Sequence, residues 1–74
     1  MRTATNLTFP VSGMAEYGYV YNHQRHEWEM YALSHENGMY AYHSTWASAR
    51  EARRETVRAN LRKEAAFYAA LAEV

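Results

Sequence analysis

Histidines are the residues of this chain best suited to bind a metal, and two of them, His23 and His26, are spaced as H-x-x-H. His43 shares a predicted strand face with His26, so three imidazole nitrogens could meet, with Glu27 or His35 as a further ligand. Zinc sites that can be recognised from sequence carry cysteine pairs or a helical H-E-x-x-H, and this chain has neither. We therefore predict ordinary surface or turn histidines, no metal and no cofactor.

Groups capable of covalent catalysis are sparse. The chain has no cysteine and no aspartate, and it lacks both a glycine-rich phosphate loop and a G-x-S-x-G elbow. A Ser-His-Glu set can be assembled on paper from Ser44, His43 and Glu29. Such a set needs a water-excluding pocket, which a domain this small rarely encloses. We predict that the protein is not an enzyme.

Length and charge narrow the class of protein further. The 74 residues form one domain, and so short a chain gains little stability from its core, so an additional stabilising device is expected. Disulfides are excluded because cysteine is absent, which leaves self-association once a metal is set aside. The formal charge is zero, and no apolar run reaches the roughly 20 residues of a membrane span. We expect a soluble, cytoplasmic homodimer with no membrane partner.

Three segments rich in aromatic residues favour strands, and they are residues 15–22, 26–33 and 38–43. Asn37-Gly38, between the second and third segments, is a strong hairpin signal because both residues tolerate a positive φ. Residues 7–11 are a candidate fourth strand, which Pro10 restricts to a sheet edge. The prediction is an antiparallel β-meander over residues 15–44, preceded by an N-terminal arm or edge strand over residues 1–13.

Beyond position 45 the chain contains no glycine or proline and is rich in alanine, arginine and glutamate, which predicts one helix over residues 45–73. Ser44 or Thr45 can cap it, and Ser48 with Glu51 has capping-box spacing one turn later. Such a helix is about 42 Å long and an eight-residue strand about 27 Å, so the helix must extend beyond the sheet. The predicted fold is α+β, with a three- or four-stranded antiparallel sheet followed by one long C-terminal helix packed on one face.

The two faces of the predicted sheet differ in composition. Alternation gathers mainly apolar residues on one face, namely Trp28, Met30, Ala32, Met39, Ala41 and His43. The other face carries Glu27, Glu29, Tyr31, Leu33, Tyr40 and Tyr42. We predict that the first face is the core that receives the helix. The second resembles a recognition surface, because tyrosine offers rigid contact area and the carboxylates favour a basic protein partner.

The direction of Tyr17, Tyr19 and Tyr21 depends on the loop within the segment NHQRH. A three-residue loop places these tyrosines on the tyrosine–glutamate face, and a four-residue loop places them in the core, because a slip of one residue inverts a strand. We favour the outward placement, which lets Gly18 and Val20 face the helix and adds Tyr17 and Tyr19 to the recognition surface.

The predicted helix carries six of the eight basic residues. Four arginines recur at every fourth position, and they are Arg50, Arg54, Arg58 and Arg62. Neighbouring guanidinium groups in this ribbon repel each other, which Glu51 and Glu55 offset in part through partners three residues later. A ribbon of like charges favours an anionic partner, either phosphate or an acidic protein surface. The alternative is a solvated helix face in an arginine-rich chain.

Apolar residues follow one side of the same helix, namely Trp46, Ala49, Val57, Leu61, Phe67, Tyr68 and Leu71. Arg53, Asn60 and Glu64 fall in the same sector and interrupt the stripe. We expect the first turns to lie on the sheet and the last turns to project beyond it or fold back. Exposed Phe67, Tyr68 and Leu71 would be unusual for so small a monomer, so we assign them to self-association.

The order of sheet then helix, with S-T-W-A-S-A-R-E-A at the junction, is similar over residues 15–62 to the N-terminal arm-binding domains of phage integrases. That resemblance implies a sheet that enters the DNA major groove, although glutamates stand here where those domains carry basic residues. In type, a small charge-segregated chain also resembles the accessory inhibitors encoded by phages. We predict a non-catalytic protein that binds a protein partner and inhibits a host system. The alternative is a DNA-binding module that uses the helix arginines.

Overall fold

The structure, a computed structural model, describes residues 2–10 and 14–73, which fold into four strands and one helix. The elements are β1 (Thr3–Ala4), β2 (Tyr17–Asn22), β3 (Glu27–Leu33), β4 (Tyr40–Trp46) and α1 (Ala49–Ala72). The strands form one antiparallel sheet in the order β1-β4-β3-β2, and α1 packs on one of its faces. The predicted α+β fold, a sheet followed by one long C-terminal helix, is therefore confirmed.

Residues 2–10, here called the strap, cross the sheet face opposite α1 and pair with both of its edges. At one edge β1 pairs with β4. At the other edge Thr8 exchanges two backbone hydrogen bonds with Tyr19 of β2, at 2.8 and 3.0 Å. The sheet curls around the strap as a result. These two short pairings replace the candidate strand over residues 7–11, whose last residue lies outside the described residues.

The β2–β3 loop has four residues, from His23 to His26. The side chain of Asn22 accepts hydrogen bonds from the backbone N–H groups of Gln24 and Arg25, at 3.0 and 3.1 Å. His26 closes the loop with a positive φ of 54°. The asparagine therefore stabilises the longer of the two loops that the sequence allowed.

This loop length turns the tyrosines of β2 toward the helix. Tyr19 pairs with Met30 and Tyr21 pairs with Trp28, so these residues share the face that receives α1. Tyr17 lies on the same face. The favoured outward placement of the three tyrosines is therefore wrong, and the residues between them face the strap.

A β-bulge at His43 changes the register between β3 and β4. Met30 pairs with Ser44, but the next residue, Tyr31, pairs with Tyr42, so His43 is the extra residue. Pairing then continues to the tryptophan at the end of β4. Ser44 and the threonine after it belong to a strand, and neither caps the helix.

The helix begins at Ala49, four residues later than predicted. Ser48 is the N-cap, and its hydroxyl accepts a hydrogen bond from the backbone N–H of Glu51 at 3.2 Å. Of the two predicted capping alternatives, the later one is the one that forms, because sheet pairing holds the preceding residues extended.

Small or polar residues of α1 are buried against the sheet, and they are Ala52, Thr56, Ala59 and Asn60. The Thr56 hydroxyl donates to the carbonyl of Ala52 at 2.7 Å, so it is satisfied inside the interface. Small side chains let the helix approach closely, while Tyr19 and Met30 of the sheet fill the core. In the predicted apolar stripe, Ala49 and Leu61 are exposed, whereas Asn60, which was placed in the same sector as an interruption, is buried.

The helix is longer than the sheet. Its 24 residues span about 36 Å, whereas a seven-residue strand spans about 24 Å. No described helical residue after Asn60 is buried, so residues 61–72, here called the overhang, project past the sheet as predicted. The molecule is 46 Å long as a consequence. Among the described residues, no helix combines the length and the apolar character needed to span a membrane.

Candidate functional site

The sheet face that carries Glu29 and Tyr31 is covered by the strap. Glu29 has 0% of its surface exposed and Tyr31 has 4%. A Cβ atom on Gly18, which pairs with Tyr31, would lie 2.9 Å from atoms of both Leu7 and Phe9. The prediction that Glu29 and Tyr31 lie on an exposed recognition surface is therefore wrong, because the N-terminal segment occupies that face.

Arg2 anchors the strap to this face through its guanidinium group. It forms a hydrogen-bonded ion pair with Glu29 and lies 3.9 Å above the ring of Tyr42. Glu29 also accepts hydrogen bonds from the hydroxyl of Tyr31 at 2.8 Å and from the amide of Asn22 at 3.2 and 3.3 Å. The carboxylate is therefore fully partnered without a ligand.

The Glu29 carboxylate is charged although it is buried. Burial pushes its pKa upward, but hydrogen bonds with Glu27, Tyr31 and Asn22, together with the charge of Arg2, outweigh burial and lower the pKa below its ordinary value. Burial and the neighbouring carboxylate raise the pKa of Tyr31. A carboxylate with a lowered pKa is a weak base, so this cluster fastens the strap and is poorly suited to proton transfer.

The other tyrosines predicted to contact a partner take part in folding. Tyr19 is buried in the core. The ring of Tyr17 packs edge-on against His43, with 5.6 Å between ring centroids. The hydroxyl of Tyr40 donates to a backbone carbonyl at 2.7 Å. Tyr42 alone among these tyrosines is exposed, with 37% of its surface accessible.

The Ser-His-Glu set is not assembled. The Ser44 hydroxyl oxygen lies 2.9 Å from Nδ1 of His43 and accepts a hydrogen bond from Nε1 of Trp46 at 2.8 Å. Ser44 pairs with Met30 on the face toward α1, whereas Glu29 lies on the strap face, so the sheet separates the carboxylate from the other two groups. The part of the chain that the structure describes also contains no group of three or more histidine or acidic residues placed to hold a metal ion.

The arginine ribbon predicted from the four-residue spacing is exposed along its whole length, at Arg50, Arg54, Arg58 and Arg62. The Glu55 carboxylate lies 3.3 Å from Nε of Arg54 and 3.1 Å from Nη1 of Arg58. The predicted pair between Glu55 and Arg58 therefore forms. Arg54 pairs with its neighbour Glu55 instead of with Glu51.

A groove of about 360 Å³ lies around Val57 on the outer side of α1. Four arginines line it, namely Arg50, Arg53, Arg54 and Arg58. Within residues 2–10 and 14–73, Arg50 and Arg53 form no ion pair. A cationic wall with an apolar floor matches an aliphatic side chain flanked by carboxylates. Sequence reasoning placed Arg53 and Val57 in the helix stripe and missed them as site residues, although they lie one turn apart beside the ribbon.

The overhang presents apolar side chains to solvent. The exposed fractions are 48% for Leu61 and for Phe67, 59% for Tyr68 and 54% for Leu71. The rings of Phe67 and Tyr68 contact each other edge-on, with centroids 5.6 Å apart. Of the two predicted alternatives, projection and folding back, these residues project, and monomeric domains seldom leave such a patch uncovered.

Comparisons of the chain with protein-family models, with curated proteins and with solved structures found no match. Inference about function therefore rests on the geometry of the helix and its surroundings.

Proposed function

We propose that this chain is a non-catalytic binding domain that docks onto an acidic segment of a protein partner through the arginine-lined groove of α1. The observation that carries the proposal is the position of Val57 among Arg50, Arg53, Arg54 and Arg58. Guanidinium groups bind carboxylates in a bidentate geometry, and Val57 offers an apolar contact at the centre. The groove favours a segment in which carboxylates flank a leucine, isoleucine or valine.

The groove belongs to a preorganised platform. Three residues after Val57, Asn60 forms three hydrogen bonds with the backbone of Glu16 and Tyr17, which holds the helix on the sheet. Glu55 orients two of the guanidinium groups. Preorganised groups lose less conformational entropy on binding than free side chains do. Occupying a partner's surface in this way is sufficient for inhibition, which is the biological role that we propose.

A DNA-binding module is the second candidate, and the length of the arginine ribbon favours it. From Arg50 to Arg62 the ribbon extends over about 18 Å of helix, enough to approach more than one phosphate. Phosphate oxygens make no favourable contact with the apolar side chain of Val57 at the centre of the groove. For this reason we place the acidic protein segment first.

Fluorescence anisotropy with three labelled probes separates the two candidates. The probes are a peptide in which glutamate pairs flank leucines, the same peptide with serine in place of each leucine, and a short DNA duplex. Each is titrated at about 50 and about 200 mM salt. We expect the leucine peptide to bind about tenfold or more tightly than the serine peptide, because leucine buries its apolar surface on Val57.

Variants of the groove sharpen this test. Val57→Thr keeps the side-chain shape and should abolish the preference for leucine. The double variant Arg53→Glu, Arg54→Glu should abolish binding of both peptides. Arg25→Glu is the matched control, since Arg25 is exposed and lies outside the groove. Tighter binding of the duplex than of either peptide, weakening steeply with salt, would support the DNA-binding alternative, and equal affinity for the two peptides would refute the role of Val57.

A further inference from the structure

The overhang carries a second pattern that the groove does not use. Four residues, here called the seam, are spaced by three, four and three positions, and they are Leu61, Glu64, Tyr68 and Leu71. This is the spacing of the a and d positions of a coiled coil. At about 100° per residue the seam lies on one side of α1, and its centre is roughly a third of a turn around the helix from the centre of the buried residues. Leu61, Tyr68 and Leu71 are exposed and Glu64 is partly exposed, so the sheet buries no residue of the seam.

We propose that the seam binds the seam of a second copy of this chain, with the two helices antiparallel. A two-fold axis at the level of Ala66 brings Leu61 against the partner's Leu71. The same axis brings Glu64 against the partner's Tyr68, whose hydroxyl can donate a hydrogen bond to the carboxylate. Each residue of the seam thus meets a complement, with apolar layers at the ends and hydrogen-bonded layers in the middle.

This complementarity is specific to the antiparallel arrangement. In a two-fold interface residue i of one copy contacts residue j of the other, and residue j of the first contacts residue i of the second. The seam read in one direction must therefore complement the same seam read in the opposite direction. In a parallel pair Glu64 would face the partner's Glu64, and two carboxylates would repel each other. The single polar d position therefore sets the direction as well as the register.

The exposed apolar surface of the overhang is of the size expected for a weak dimer. The chain exposes 5159 Å², and a folded monomer of 8.6 kDa is expected to expose about 4,700 Å². Leu61, Phe67, Tyr68 and Leu71 are each about half exposed and together present about 400 Å² per copy. Pairing two overhangs covers on the order of 800 to 1,000 Å², at the low end of specific interfaces, so we expect a weak dimer.

The proposed dimer leaves the groove around Val57 free. With the axis at Ala66, the position opposite Val57 falls beyond the end of the partner's helix. The two sheets lie at opposite ends of the paired helices. The inference therefore goes beyond the proposed function, and each can fail without the other.

Sedimentation of the full chain from about 5 to about 500 μM tests the dimer. We expect a monomer–dimer equilibrium that Leu71→Glu weakens by about tenfold or more. Ala66→Glu is the matched control, because Ala66 is exposed on the opposite side of the overhang and should leave the dimer intact. Circular dichroism of both variants checks that the helix is retained. A chain that stays monomeric over this range, or a dimer insensitive to Leu71→Glu, would overturn the proposal.

Single cysteine substitutions test whether the two helices pair antiparallel or parallel, since the chain has no cysteine of its own. Glu64→Cys and Tyr68→Cys chains are made with different isotope labels, mixed and oxidised, and the disulfide-linked dimers are weighed. The antiparallel arrangement predicts mixed dimers of one chain of each kind. Predominance of dimers between two chains of the same kind would show a parallel pair and refute the antiparallel interface.

Discussion

The side chain of Asn60 in α1 hydrogen-bonds both backbone polar atoms of Tyr17 in β2. Its Oδ1 accepts from the Tyr17 N–H at 2.9 Å, and its Nδ2 donates to the Tyr17 carbonyl at 3.1 Å. The same Oδ1 accepts from the N–H of Glu16 at 3.1 Å. Asn60 thus gives the start of an edge strand the partners that a neighbouring strand would supply, and it joins the helix to the sheet.

We expect Asn60→Ala to lower the free energy of unfolding by about 2 to 4 kcal/mol, because the backbone groups of Tyr17 lose their partners in a partly buried site. Urea unfolding followed by circular dichroism measures the change. Asn6→Ala is the matched control at an exposed asparagine and should change the free energy by no more than about 0.5 kcal/mol. An equal effect of the two substitutions would contradict the role assigned to Asn60.

Acid should release the strap through Glu29. The pKa of Glu29 lies below its ordinary value of 4.5, so its charge stabilises the folded protein above that pH, and this stabilisation is lost as the pH falls through the lowered pKa. We expect Glu29→Gln to be less stable than the wild type at neutral pH, because Arg2 loses the charge of its ion-pair partner. The difference should shrink as the pH falls below about 4.5.

Urea unfolding of both proteins across this pH range provides the measurement. Glu36→Gln, at an exposed loop position, is the control and should follow the wild-type curve. Wild type and Glu29→Gln curves that run parallel down to strongly acidic pH would show that Glu29 has no lowered pKa.

We expect Gly18→Ala to destabilise the protein by about 1 to 3 kcal/mol, because the added methyl group would lie 2.9 Å from Leu7 and from Phe9. Faster hydrogen exchange at the Thr8 and Tyr19 amides, which bond across this edge, would report displacement of the strap. Gly38→Asn is the control: Gly38 has a φ of +71°, which asparagine tolerates, and nothing lies near its Cβ position. An unchanged melting temperature for Gly18→Ala would show that the strap does not pack on β2 this closely.

Local sequence signals were sufficient for several elements. The run without glycine or proline predicted the long helix, and Asn37-Gly38 predicted a hairpin at this position. The connection is longer than a two-residue turn, since residues 34–39 join the paired Leu33 and Tyr40, and of the two turn residues Gly38 alone has a positive φ. Alternation correctly separated Met30 from Tyr31. The four-residue spacing of the arginines predicted an exposed ribbon, and the difference in length between helix and strand predicted the overhang. Each of these signals depends on residues within a turn or two of one another.

The features that the sequence left open all depend on contacts between distant parts of the chain. Two loop lengths were possible between Asn22 and Glu27, and packing of the β2 tyrosines under α1 accompanies the longer one. Burial of Glu29 follows from Arg2, which is 27 positions away and reaches it only because the strap pairs with both sheet edges. Periodicity reports which residues share a face but not what covers that face. Long-range packing therefore decided which surfaces are exposed, since the strap covers the sheet face that carries Glu29 and Tyr31 and leaves the arginine ribbon of α1 uncovered.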